Sequence, residues 1–383
     1  MKKRYLFKLS CSSILFLALT LLTFVSLTIG STVAEAASAN CGVWSVVPSP
    51  NATTDDYLHA TSAISSNNVW AVGDYITTNS KSGVAQTMIE HWNGTRWSIV
   101  PSPNIGTGDN NLYGVVAISA KDVWAVGEGS GSTLIEHWNG SQWSVVTSPN
   151  MGQLNAITAI SATNIWAVGG LSRTLVEHWN GVKWSIVRSP NPGTVAGEFN
   201  VLDSVTAVAA NNVWAVGYYS SSTNAYQTLV EHWNGIKWSV VASPNVPNTH
   251  DYLTSVQAVS ANDIWAVGSS FTLDSVGQTL VEHWNGTKWS IIASPNTSGT
   301  LSGLSGVTVV SSSDVWAVGY SFTGNGTGPT VIEHWNGTKW SIVPSPSPAA
   351  GFNSLSSVTH VPGTSSVWAV GNADTTTLTE FYC

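Results

Sequence analysis

Six Glu-His pairs are the groups in this chain best suited to chemistry: Glu90-His91, Glu136-His137, Glu177-His178, Glu231-His232, Glu282-His283 and Glu333-His334. A carboxyl beside an imidazole can serve as general acid and base, or offer two ligands to a metal. Their copy number points elsewhere. A catalytic centre needs one pair in one place, whereas six copies mark scaffold. Each Glu and His is therefore expected to be satisfied between repeats, by the other, a strand hydroxyl or a backbone group, as buried polar groups require. Glu90, His91 and Trp92, like Glu282, His283 and Trp284, are read as structural.

The remaining histidines are His59, His250 and His360. No metal site is expected from them, since nothing in the spacing brings them together with carboxylates. Calcium is the one ion that the acidic loops would suit, although no EF-hand or RTX spacing occurs. No other cofactor is implied. A serine nucleophile elbow, a Cys-His pair and a phosphate loop are all missing from the sequence.

The pairs sit inside a larger repeat. Trp-Ala-Val-Gly recurs with its tryptophan at Trp70, Trp124, Trp166, Trp214, Trp265, Trp316 and Trp368. Glu-His-Trp-Asn-Gly follows six times, and Trp-Ser with two β-branched residues recurs from Trp44, Trp97, Trp143, Trp184, Trp238, Trp289 and Trp340. These three motifs account for all 20 tryptophans. Each unit reads as four short strands: A (Leu253 to Ser260), B (Ile264 to Gly268), C (Leu280 to Trp284) and D (Trp289 to Ile292). β-Branched and aromatic enrichment, tight Asn-Gly turns and Pro confined to strand ends favour sheet. Four strands per 40–50 residues predicts an all-β, seven-bladed β-propeller with four antiparallel strands per blade. The blades are expected at about 58–101, 112–147, 154–188, 202–242, 253–293, 304–344 and 355–383 plus 41–48.

The last blade explains that split. Its C-terminal part supplies strands A to C, while Cys41 to Val47 reads as an orphan strand D. The N-terminal strand should thus complete the last blade. Cys383 aligns with the Asn of the Asn-Gly turn and Cys41 with its Gly, so a Cys41–Cys383 disulfide would replace the turn covalently. Asn-x-Ser/Thr sites at Asn51, Asn93, Asn139, Asn285, Asn296, Asn325 and Asn336 are read as turn chemistry rather than glycan acceptors.

Ahead of the repeats, Lys2, Lys3, Arg4 and Lys8 precede an apolar run from Ile14 to Ile29, and small residues follow up to Ala39. Residues 1–36 are expected to be a cleaved signal peptide, the alternative being an uncleaved anchor. Without them the chain has 9 basic and 20 acidic residues, a net charge of −11. That balance argues against nucleic acid and anionic lipid, and no membrane insertion is expected after cleavage. The mature protein is expected to be secreted or held at the cell surface, and monomeric.

B–C and D–A loops vary in length and emerge on one face of such a ring, whereas A–B and C–D turns are uniform. Variable loops on a rigid scaffold usually carry recognition. This variable face is assigned Asp55, Asp56, Asp74, Asp109, Glu128, Glu198, Asp203, Asp251, Asp274 and Asp374 against Lys81, Arg173 and Arg188. It also gathers Tyr75, Tyr113, Phe199, Tyr218, Tyr219, Tyr226, Tyr252, Phe271, Tyr320, Phe322 and Phe352. Asp74, Tyr75, Tyr218, Tyr219, Tyr226, Asp251, Phe271, Tyr320 and Phe322 are taken as candidate ligand-binding residues.

The order Trp-Ala-Val-Gly, variable loop, Glu-His-Trp-Asn-Gly-x-x-Trp resembles the kelch repeat. Gly286-Thr287-Lys288-Trp289 is also similar to tectonin-type and sialidase-type hairpins. The resemblance spans residues 41–383 and implies a propeller. A kelch double glycine occurs only at Gly169-Gly170. A sialidase clamp would need three arginines on one face, but Arg96 of Arg96, Arg173 and Arg188 belongs to the opposite one. The expected function is a non-catalytic scaffold binding a glycan or an extracellular protein. Alternatives are a polysaccharide hydrolase or lyase using variable-face carboxylates, and a structural surface or matrix protein.

Overall fold

Within each repeat, strand B is an unbroken apolar run such as Val69-Trp70-Ala71-Val72, which favours a strand buried on both faces, as a blade between two others requires. The computed structural model describes residues 41–77, 83–149, 152–193, 199–220, 225–272, 276–297, 301–323 and 326–383. The signal segment, Lys81, Glu198, Asp274 and Asn325 lie outside the described residues. The first blade is Asp56–Ser65, Asn68–Ile76, Ala85–Trp92 and Trp97–Ile99, hydrogen-bonded in that order. The pattern recurs from inner strands Asn110–Ser119, Leu154–Ser161, Asn200–Ala209, Thr249–Ser260, Leu301–Ser311 and Asn353–His360. The protein is an all-β, seven-bladed propeller with four antiparallel strands per blade.

The N-terminal strand closes the ring. Ser45–Val46 pairs antiparallel with Thr376–Tyr382, placing Ser45 opposite Phe381 and Val46 opposite Glu380. Cys41 and Cys383 are joined by a disulfide, their Cα atoms 4.7 Å apart. The Gly42 amide donates to the Cys383 carbonyl at 3.0 Å, so the cross-link stands where the other blades have a turn. In those turns Asn93 Oδ1 accepts the amides of Thr95 and Arg96, and Asn285 Oδ1 accepts those of Thr287 and Lys288. The following Gly286 has φ +89°, which needs glycine.

Among the described residues, no blade has a core of its own. Each apolar cluster straddles a seam: Trp70, Val72 and Ile89 of the first blade pack with Leu112, Val123 and Trp143 of the second. The closing seams do the same, joining Leu58 and Trp97 to Trp368 and Val370, and Trp44 to Trp316 and Leu355. At every seam the strand-B tryptophan meets two aromatic rings of the adjoining blade. Trp166 lies 4.9 Å from Trp233 and 5.5 Å from Trp238, and also 4.3 Å from His178 of its own blade. Such pairs add about 0.5–1.5 kcal/mol each beyond burial.

The Glu-His pairs are divided between two environments. Adjacent strand residues face opposite sides, so Glu and His do not satisfy each other. His91, His178 and His232 Nε2 lie 2.8–2.9 Å from Asn68, Asn164 and Asn212 Oδ1, and His137, His283 and His334 lie 2.8–2.9 Å from Asp122, Asp263 and Asp314. Each partner begins strand B of the same blade. The glutamates instead enter the seams, where all seven, Glu380 included, are fully buried. Ser243 donates to Glu282 at 2.7 Å across one seam, and Ser148 to Glu177 at 3.3 Å across another. Burial raises these carboxyls, to about 8 for Glu136, Glu231, Glu282, Glu333 and Glu380 and about 7 for Glu177.

Candidate functional site

The invariant glycine of Trp-Ala-Val-Gly shapes the axis. A Cβ on Gly73 would run into the Tyr57 carbonyl, and one on Gly217 into that of Val201; the same holds at Gly127, Gly169, Gly268, Gly319 and Gly371. This close approach accompanies a bulge in strand A, between Leu58 and Ala60 in the first blade and between Leu202 and Ser204 in the fourth. One residue per blade is thereby left out of the ladder. The series runs His59, Tyr113, Asn155, Asp203, Thr254, Ser305 and Ser356, and all seven line a cavity of about 180 Å³ on the axis. The residue before the bulge is always leucine and the one after is Ala, Gly or Ser. The bulge position between them changes chemistry from blade to blade.

A second variable position supports the first. The residue after the invariant glycine is Asp74, Glu128, Gly170, Tyr218, Ser269, Tyr320 or Asn372. His59 Nε2 lies 2.6 Å from Asp74 Oδ1, Tyr113 is hydrogen-bonded to Glu128, and Ser354 donates to Asn372 at 2.8 Å. Asn155 reaches the next blade, its Nδ2 donating to Asp203 Oδ1 at 3.2 Å and to the Leu202 carbonyl at 3.0 Å. Enclosure in the channel wall raises the Asp203 carboxyl to about 7, although the Asn155 hydrogen bond pulls the other way. Tyr218, raised to about 12 chiefly by burial, also feels the Asp203 charge.

Outside the channel, rings from the fourth and fifth blades form one cluster. Tyr218 lies 4.8 Å from Tyr252 and 5.4 Å from Tyr226; Tyr226 lies 5.2 Å from Tyr252 and from His250; Phe271 packs edge-on to Tyr252 at 5.8 Å. Phe199 meets Tyr226 at 6.0 Å. A smaller group places Tyr320 and Phe322 6.0 and 6.1 Å from Phe352. All these rings are partly exposed.

Of the residues expected to bind ligand, Tyr218, Tyr226 and Phe271 are brought together, and Tyr320 with Phe322 forms the second group. Tyr219 faces the other side of its strand, packs on the seam with the third blade and donates to Gln227 at 2.5 Å. Tyr75 stands opposite Asp56, away from the cluster. Asp74 acts through His59. Asp251 is fully buried and holds its own loop, accepting the Val246 amide at 2.6 Å and the Thr249 hydroxyl at 2.8 Å. Asp56, Asn110, Asn200 and Asn353 tie the loops before their strands in the same way. Sequence reasoning did not single out the channel residues His59, Tyr113, Asn155 and Asp203 as a set. Their signal was available as a variable position held between a constant leucine and a residue that is always small.

Neither a protein-family model nor a curated protein sequence matches the chain. Among solved structures, YCF48 bound to D1 peptide superposes with a TM-score of 0.55 at 15% identity, over 90% of this chain and 97% of that one. YCF48 from Cyanidioschyzon merolae gives 0.57 at 16% identity, over 89% and 98%. The WD40 β-propeller domain of Doa1 gives 0.57 at 11%, over 88% and 96%. At these identities the likeness is one of fold, that of a β-propeller repeat protein.

Proposed function

We propose that this protein is a non-catalytic binding scaffold that receives a segment of an extracellular protein on its variable face. One observation carries the reading: Tyr218, Tyr226, Tyr252 and Phe271 come together from two blades into a partly exposed aromatic surface beside an acidic channel mouth. Aromatic anchors of this kind concentrate binding energy at protein interfaces. The fold is shared with YCF48, whose structure holds a peptide. The chemically versatile Glu-His pairs are committed to the seams and to strand-B partners, which supports a scaffold over an enzyme. The kelch-like motif order is compatible with the same role. Export is supported by the basic and apolar leader and by the Cys41–Cys383 bridge, which suits an oxidising compartment. The reading takes the protein as a monomer.

The test is capture of partners from the extracellular fraction by the parent protein and by a Tyr218→Ala, Tyr226→Ala, Tyr252→Ala triple variant, with Tyr219→Phe as control. A partner held by the parent and the control but lost by the triple variant is expected. Equal retention by the triple variant would defeat the reading. A glycan array probed in parallel separates sugar from polypeptide, and tyrosine-dependent glycan binding would replace the protein partner by a sugar.

A further inference from the structure

Copy number separates scaffold from site in this ring. The polar residues repeated in the blades sit in seams, in contacts with the start of strand B or in turns, whereas the bulge position changes from blade to blade and faces the axial cavity. Its distribution is lopsided. The first four blades present the long groups His59, Tyr113, Asn155 and Asp203; the last three present only Thr254, Ser305 and Ser356. Space is thus left on the side of the small hydroxyls, facing Asp203.

The carboxylates around that space make it acidic. Asp203 lines the cavity directly, while Asp74 and Glu128 stand behind His59 and Tyr113. Among the described residues no lysine or arginine lines it. An anionic ligand would meet no counter-charge. A metal ion is not suited either, because among the described residues no three His, Cys, Asp or Glu side chains are placed to hold one. About 180 Å³ corresponds to roughly six water volumes, room for one long side chain and not for a folded segment.

We propose that the axial cavity is a receptor for a single lysine- or arginine-type side chain of a polypeptide partner. Asp203 supplies the counter-charge, and the Asn155, His59 and Tyr113 side chains form the polar wall. The inference rests on the proposed function and deepens it: the tyrosine cluster holds the partner's flank while the channel selects a cationic residue. A charge-assisted hydrogen bond to an enclosed carboxylate is stronger than a neutral one and rewards only a cationic group.

The test is calorimetric titration of the purified protein with the blocked pentapeptide Gly-Gly-Lys-Gly-Gly, its arginine counterpart, and the norleucine and citrulline peptides that keep shape without charge. At least one cationic peptide is expected to bind ten or more times tighter than its neutral counterpart. Asp203→Asn should remove that preference. Ser356→Lys, which adds a competing ammonium on the open side and removes no existing contact of Asp203, should do the same. Absence of cationic preference, or its survival in both variants, overturns the proposal. The two readings fail separately: tyrosine-dependent capture without cationic preference sinks the channel alone, and cationic preference without tyrosine-dependent capture sinks the face alone.

Discussion

Trp316 meets Tyr382 with ring centroids 4.6 Å apart, at a position where each of the other six seams brings together two tryptophans. Trp44 completes this contact, 5.5 Å from Trp316 and 5.6 Å from Tyr382. The closing seam therefore has smaller rings and a two-residue outer strand, and the Cys41–Cys383 bond secures it. Cys383→Ser should cost about 2–5 kcal/mol. Urea unfolding followed by tryptophan emission would show the midpoint falling. Limited proteolysis should cut first between residues 41 and 50.

The seam glutamates make stability depend on pH. Their carboxyls are raised by burial, so between about pH 4.5 and 8 the folded protein binds protons that the unfolded chain has released. Stability from these groups is full below pH 4.5 and is lost as pH rises through 8. His91, His178 and His232, lowered by burial, act in the opposite sense below about pH 6.5. A Glu231→Gln variant should melt close to the parent at pH 5 and about 2 °C or more above it at pH 9. Parallel melts at both values decide it, and an unchanged difference would show that Glu231 does not titrate in the seam.

Gly217→Ala tests how the axis is built. The added methyl collides with backbone rather than with a flexible side chain, so the bulge at Asp203 must shift. A loss of about 3 kcal/mol or more is expected from denaturant unfolding, well above a typical point substitution. Cationic-peptide selectivity should fall with it, whereas a methyl added at exposed Gly131, where nothing lies within 4 Å, should spare selectivity.

Asp203 gives the channel its own pH signature. With its carboxyl near 7, the ionised fraction rises from about one-tenth at pH 6 to about nine-tenths at pH 8. Affinity for the lysine peptide should rise up to tenfold over that range. His59, held by Asp74, and Tyr113, held by Glu128, face the same cavity, and Tyr218 approaches Asp203 from strand B. The rise should persist in His59→Asn and vanish in Asp203→Asn.

Architecture was legible because it is written seven times. Twenty tryptophans in three fixed motifs announced the seams, and the placement of Cys41 and Cys383 announced the closure. The channel was harder to read because a bulge removes one residue from the strand's alternation. His59 and Tyr113 therefore looked like ordinary positions at the start of strand A and on the face. Tyr218 and Tyr219 are neighbours in sequence with similar composition, yet strand alternation sends one to the aromatic cluster and the other into a seam. The partner of each repeated histidine was hidden for another reason: it begins a strand 14–23 residues earlier and meets the imidazole only across the sheet.

The closure also sets a timetable. Ser45 waits for Phe381, 336 residues further along the chain, before its strand has anything to pair with. Intermediate seams join neighbours and can assemble in order, but the ring becomes a ring only in a last, long-range event. Contacts so distant in sequence are slow to find. Until then Trp316 lacks Trp44 and Trp368 lacks Trp92 and Trp97, and the interval before closure is when this tryptophan-rich chain is most open to association with other copies.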